Sequence, residues 1–142
     1  MSGAPSAARV AAQWVEKAEH DLRNAEHTLT LAKDCPYDTV CFHAHQCVEK
    51  YLKATLTAFG SNFSRTHDLT ELHALLPRAI GAGVDISDLA ELNPYAMRAR
   101  YPGPWEPQTR DDATRAVEIA RRVRKVVRSK LPSQVLGRRR YR

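Results

Sequence analysis

Apolar residues recur along this chain at steps of three and four, and prolines cut the pattern into separate runs. From about Ala8 to Lys33, the positions Ala11, Trp14, Ala18, Leu22, Ala25, Leu29 and Ala32 build one stripe. That is the period of a half-buried helix, not of a strand. Glu16, Lys17, His20, Arg23 and His27 fall elsewhere on the wheel. Pro36 has no amide hydrogen and its ring collides with the preceding turn, so the break is expected at Asp34–Cys35–Pro36. A second helix is expected from Tyr37 or Asp38 to Phe59, with Val40, Ala44, Cys47, Val48, Tyr51, Leu52, Leu56 and Phe59 inward. Gly60 suits the left-handed position just past its end.

Ser61 to His67 reads as a loop. Asp68 and Glu71 have the spacing of a capping box and open a third helix with Leu69, Leu72, Leu75, Leu76, Ala79 and Ile80 inward, ended by Gly81 and Gly83. A short fourth helix starts near Asp85–Ser87, carries Ile86, Leu89 and Leu92, and meets Pro94. Pro102, Pro104 and Pro107 make 98–107 an extended, rigid loop. Thr109 and Asp112 start the last long helix, which buries Ala113, Ala116, Val117, Ala120, Val123, Val127 and Leu131 before Pro132. No segment alternates as a strand does. The expected fold is all-α: an up-and-down antiparallel bundle with three long helices, two short helices and a proline-rich loop. The expected organisation is a flexible segment over 1–7, the bundle over 8–131 and a basic tail over 132–142.

At 142 residues the chain suits one domain. No uncharged apolar run is long enough to cross a bilayer, and Met1 to Arg9 lacks the apolar stretch of a secretory signal, so no membrane association is expected. Three closely spaced cysteines (Cys35, Cys41 and Cys47) do not make a disulfide framework, and a cytoplasmic location is expected. Charge is divided unevenly. Residues 1–109 carry 10 Lys/Arg against 13 Asp/Glu, whereas 110–142 carry 12 against 3. The basic end, closing on Arg138, Arg139, Arg140 and Arg142, either attracts polyanions or is a solvated helix face with a frayed terminus.

On the second helix a polar line interrupts the apolar stripe: His43, Gln46, Lys50 and Lys53, with Glu49 and His45 on an adjacent face. Their spacing puts the donors on one side, where they serve either one anion or packing against the proline-rich loop. Cys41/His45 and His43/Cys47 are i,i+4 pairs of the kind that can share a metal, but nothing supplies a second pair, and no metal is expected. There is no Gly-rich phosphate loop, Walker motif or Ser/His/Asp order, and no cofactor is expected.

The run Gln46-Cys47-Val48-Glu49-Lys50-Tyr51-Leu52-Lys53-Ala54, then His67-Asp68-Leu69, then Arg100-Tyr101-Pro102, resembles the HEPN domain family. Trp14 and Asp21-Leu22 in the leading helix, and Asp112-Ala113, Ala116 and Ala120 in the closing one, fit the same pattern. The resemblance spans about residues 8 to 131. It implies a small helical bundle, usually a homodimer. Such proteins act around nucleotides and RNA, often beside a minimal nucleotidyltransferase in toxin–antitoxin or defence systems. Many members are metal-independent ribonucleases that carry an arginine followed, after four to six residues, by a histidine. This sequence departs from that motif. Arg23 and His27 have three residues between them, and Arg65 and His73 have seven. If Met97–Pro104 occupies the motif region, Arg98 takes the arginine's place and a proline, with no proton to move, stands where the histidine belongs.

Family-type ribonuclease activity is therefore not expected. The expected role is nucleotide or RNA binding through Lys50, Lys53, His67, Arg98, Arg100 and Tyr101, as the partner of a nucleotidyltransferase. Two alternatives stand beside it. One is a ribonuclease with a rearranged site of Arg98, Arg100, Tyr101 and a second-helix histidine. The other is a structural dimerisation module in which Arg100 pairs with Glu49 and Tyr101 caps the core.

Overall fold

The computed structural model describes residues 6–137, and all of their regular structure is helical. The elements are α1 (Ala7–Leu29), α2 (Tyr37–Ala58), α3 (Leu69–Ala74), α4 (Arg78–Gly81), α5 (Ile86–Leu92), α6 (Tyr95–Arg98), α7 (Arg110–Lys130) and α8 (Ser133–Leu136). The three long helices are those the apolar spacing predicts. Of the segment expected to be flexible, only Ser6 and Ala7 are described: the Ser6 hydroxyl caps α1 by accepting from the Arg9 amide, and Ala7 opens the helix. Arg138, Arg139, Arg140 and Arg142 lie outside the described residues.

Several boundaries differ from the sequence expectation. α1 stops short of Lys33 because the Thr30 hydroxyl bonds back to the His27 carbonyl at 2.6 Å and competes with the helical ladder. Asp34 then takes a positive φ of 53° to turn the chain. The expected third helix is two pieces, since Pro77 cannot donate to the ladder. Phe59, Leu75 and Ile86, all expected inward, are 49%, 44% and 52% exposed, Phe59 because it caps the end of α2 rather than lying within it. At the start of α3 only half the capping box forms: Asp68 accepts from the Thr70 and Glu71 amides, while Glu71 accepts from the Ser64 and Thr66 hydroxyls. Pro94 starts α6 instead of ending a helix, and α8 follows Pro132, with Val135 buried. The short helices among the described residues thus number five rather than two. At Thr109 the box is complete, with the hydroxyl accepting from the Asp112 amide and the Asp112 carboxylate from the Thr109 amide.

α1 and α2 form the most extensive pairing. The fully buried Ala11, Ala18, Ala25 and Ala44 keep side chains small along these helices, which lets backbones approach closely. Side-chain pairs Asp21–His43 and Glu19–Tyr51 make α1 and α2 antiparallel, and Glu26–Arg121 with Glu19–Arg124 does the same for α1 and α7. α2 and α7 therefore run in one direction, and residues 59–109, carrying α3 to α6, form the returning leg. That return brings the loop after α6 to the start of α2. No helix among the described residues is long and apolar enough to cross a membrane.

Candidate functional site

The polar line of α2 does not converge on one open point; it is divided between two carboxylates. Asp21 of α1 accepts from His43 Nδ1 at 2.8 Å and Lys50 Nζ at 2.6 Å. Glu49, almost wholly buried, accepts from Lys53 Nζ at 3.0 Å and from His67 Nδ1 at 2.9 Å. The Lys53 ammonium also lies over the Trp14 ring at 5.5 Å. Gln46 donates to His45 Nδ1, and His45 Nε2 donates to the His67 carbonyl at 3.1 Å. Burial drives the His45 pKa down to about 4, against the opposing pull of Glu49 and the His67 carbonyl, while the charges of His67 and Arg100 lower it further. The imidazole is thus neutral, with its proton on Nε2. Lys50 and Lys53 are charge-compensated from within. His67 differs: its side chain is 58% exposed although Glu49 holds its Nδ1.

A second network fastens α7. Glu19 accepts from Arg124 at 2.7 and 2.8 Å and from the Tyr51 hydroxyl at 2.6 Å, and Arg128 also bonds that hydroxyl. Burial raises the Glu19 pKa, but the bonds from Arg124 and Tyr51 and the charges of Arg124 and Arg128 outweigh it and hold the carboxyl below its usual value. Arg115 and Arg122 share Asp88, and Arg121 meets Glu26. Five arginines of α7 are therefore ion-paired with acids of α1 and α5, with Arg115, Arg121 and Arg122 keeping exposed guanidiniums.

The exception is the loop after α6. Arg98 and Arg100 make no ion pair among the described residues. Each guanidinium instead rests on an aromatic ring, Arg98 over Trp105 at 6.0 Å and Arg100 over Phe42 at 5.0 Å. The expected alternative of an Arg100–Glu49 pair is not formed, and Tyr101 does not cap the core, being 60% exposed. Together with Tyr37 and Asp38 at the start of α2, Arg98, Arg100, Tyr101 and Trp105 line an open groove of about 620 Å³. Gly103 shapes it. A side chain there would begin 2.1 Å from the Trp105 ring, so only glycine lets the indole fold back over the loop.

Of the residues singled out from sequence, Arg98, Arg100 and Tyr101 come together at this groove. His43, Gln46, Glu49, Lys50, Lys53 and His67 belong to the carboxylate networks beside it. Sequence reasoning missed Asp38, Tyr37 and Trp105 as groove residues. Their one signal was aromatic and charged side chains flanking Pro36 and Pro104, where the backbone is held out of the ladder. It also missed Glu19, whose partners Arg124 and Arg128 lie more than a hundred residues further along the chain. Cys41 and Cys47 lie in the core, where burial pushes the Cys41 thiol up to about 12 and Cys47 well above its usual value. Neither offers a ready thiolate, and no cluster of three or more His, Cys, Asp or Glu able to hold a metal forms among the described residues.

The all-helical bundle places the chain in a class by its fold, and comparisons with known proteins bear on that fold. The HEPN domain model matches residues 11–130. The crystal structure of TT1696 from Thermus thermophilus is similar with a TM-score of 0.72 at 32% identity, covering 85% of this chain and 98% of that one. The crystal structure of ST0689, an archaeal HEPN homologue, matches with a TM-score of 0.67 at 24% identity over 86% of this chain and 98% of that one, which speaks for the fold alone. No curated protein matches. The chain belongs to the HEPN domain family.

Proposed function

We propose that this protein binds nucleotides or RNA at the groove between the start of α2 and the loop after α6, without the ribonuclease chemistry common in its family. In this reading it works as a homodimer and as the partner of a minimal nucleotidyltransferase in a toxin–antitoxin or defence-type system. The observation that carries the binding role is the pair Arg98 and Arg100. They are held on aromatic rings, unpaired with any acid among the described residues, beside the exposed ring of Tyr101. Guanidinium groups left without carboxylates suit phosphate oxygens, which they bind bidentately, and an exposed tyrosine offers a face on which a base stacks.

Calorimetric titration with ATP and with a short single-stranded RNA, at one stated salt concentration, tests the reading. Arg98→Ala and Arg100→Ala should each weaken binding by ~1–3 kcal/mol, the usual worth of a charge-assisted hydrogen bond. Their thermal midpoints should scarcely move, because neither arginine is part of a buried pair. Wild-type affinity in the double variant would reject the groove as the site. Light scattering on the same sample should give twice the 16.0 kDa chain mass, and a monomer throughout the micromolar range would reject the dimer.

One observation favours a ribonuclease with a rearranged site. His67 is exposed and oriented by the buried Glu49, the arrangement of a general base, and Arg100 lies near enough for its charge to lower the His45 pKa. Cleavage of RNA in the presence of a chelator, lost in His67→Gln, would establish that reading in place of the binding one. Absence of cleavage leaves the binding reading standing.

A further inference from the structure

Asp38 is the one carboxylate lining the groove, and it shares those walls with Arg98 and Arg100 without pairing to either. Asp38 Oδ1 accepts from the Thr39 amide at 2.8 Å, which fixes the carboxylate in the first turn of α2. Oδ2 has no partner among the described residues. An acid and two arginines in one cleft ordinarily neutralise each other. Kept apart, they match a ligand that is itself divided, anionic at one end and hydrogen-bond donating at the other.

Resting on the reading of this groove as the nucleotide site, we infer that Asp38 determines base specificity and selects nucleotides whose base carries an exocyclic amine. With Oδ1 engaged, Oδ2 accepts one N–H. Adenine, cytosine and guanine each present such a hydrogen on an amine at the edge of the ring. Uracil has no amine, and its one ring N–H sits between two carbonyl oxygens that repel a carboxylate. The phosphate lies toward Arg98 and Arg100, and the exposed ring of Tyr101 supplies the face on which the base stacks.

Calorimetric titration of the full chain with AMP, GMP, CMP and UMP reads this out. The three amine-bearing nucleotides should bind roughly tenfold tighter than UMP, the worth of a hydrogen bond to a charged group. Asp38→Asn keeps Oδ1 for the Thr39 amide and puts an NH2 group, which donates and does not accept, where the free acceptor was. In that variant the preference should collapse to near unity while the thermal midpoint stays close to wild type. Asp38→Ala should lose the preference in the same way, so the result does not hang on one variant's folding. Equal binding of all four nucleotides that still depends on Arg98 and Arg100 would overturn the role of Asp38 and leave the site in place. Binding indifferent to Arg98 and Arg100 would overturn the site itself, and the role of Asp38 with it.

Discussion

Replacing Glu19 by alanine should destabilise the fold by ~3–5 kcal/mol, the cost of stripping one partner from a buried ion pair. For a domain of this size that corresponds to a fall of roughly 10 °C or more in thermal midpoint, readable by circular dichroism. The Glu19 side chain is 3% exposed and holds Arg124, Arg128 and the buried Tyr51 hydroxyl at once. Without it Arg124, Arg128 and the Tyr51 hydroxyl lose the one carboxylate they share. A loss of under ~1 kcal/mol would show that water or another acid replaces it and that α7 is held by packing alone. The same carboxyl makes the fold acid-sensitive. Its folded pKa is lowered, so its contribution is complete above the ordinary value of 4.5 and disappears as the pH falls below that value through the folded one.

A second acid sensitivity begins nearer neutrality and has the other chemical origin. Burial lowers the His45 pKa from 6.5 to about 4, so between those values the unfolded chain binds a proton that the folded chain refuses. Stability therefore rises with pH through that window and is lost as pH falls from about 6.5 toward 4, by roughly 3 kcal/mol at about 1.36 kcal/mol per pKa unit. The groups facing the ring are Glu49, His67 and Arg100, with the His67 carbonyl on Nε2. His45→Gln keeps an N–H for that carbonyl and cannot be protonated. Urea unfolding of wild type and variant at intervals from pH 7 to pH 4 should show a markedly flatter profile for His45→Gln. Identical slopes would mean that His45 opens to solvent before it titrates.

What the sequence made legible follows from what is local. The stripes of α1, α2 and α7 are set by spacing within each helix, and the stop before Pro132 needs no tertiary information, whereas α1 already ends at Leu29, before Pro36. Pro77 carries the same local signal, yet the leucine run Leu72, Leu75 and Leu76 masks it, and the spacing merges two short helices into one. Arg98, Arg100 and Tyr101 were singled out through the family resemblance; that neither arginine meets an acid among the described residues is a tertiary fact. The rest was not readable, because partners lie far apart in the chain. Nothing near Arg124 announces Glu19, and nothing near Trp105 announces Asp38. The direction of the chain through α3 to α6 brings the latter pair to one groove. Likewise, nothing in residues 110–142 shows that Arg124, Arg121 and Arg122 pair with Glu19, Glu26 and Asp88, which stand on α1 and α5.

The central claim is that the groove, and not the basic last helix, is the binding surface. Amide chemical-shift mapping with isotope-labelled protein titrated with AMP tests it most directly, since every backbone N–H reports its own surroundings. Shifts should concentrate at residues 35–38 and 98–108, saturate with a single affinity and vanish in the Arg98→Ala/Arg100→Ala variant. Shifts confined to the exposed face of α7 around Lys125 and Lys130, or no shifts at millimolar nucleotide, would contradict it.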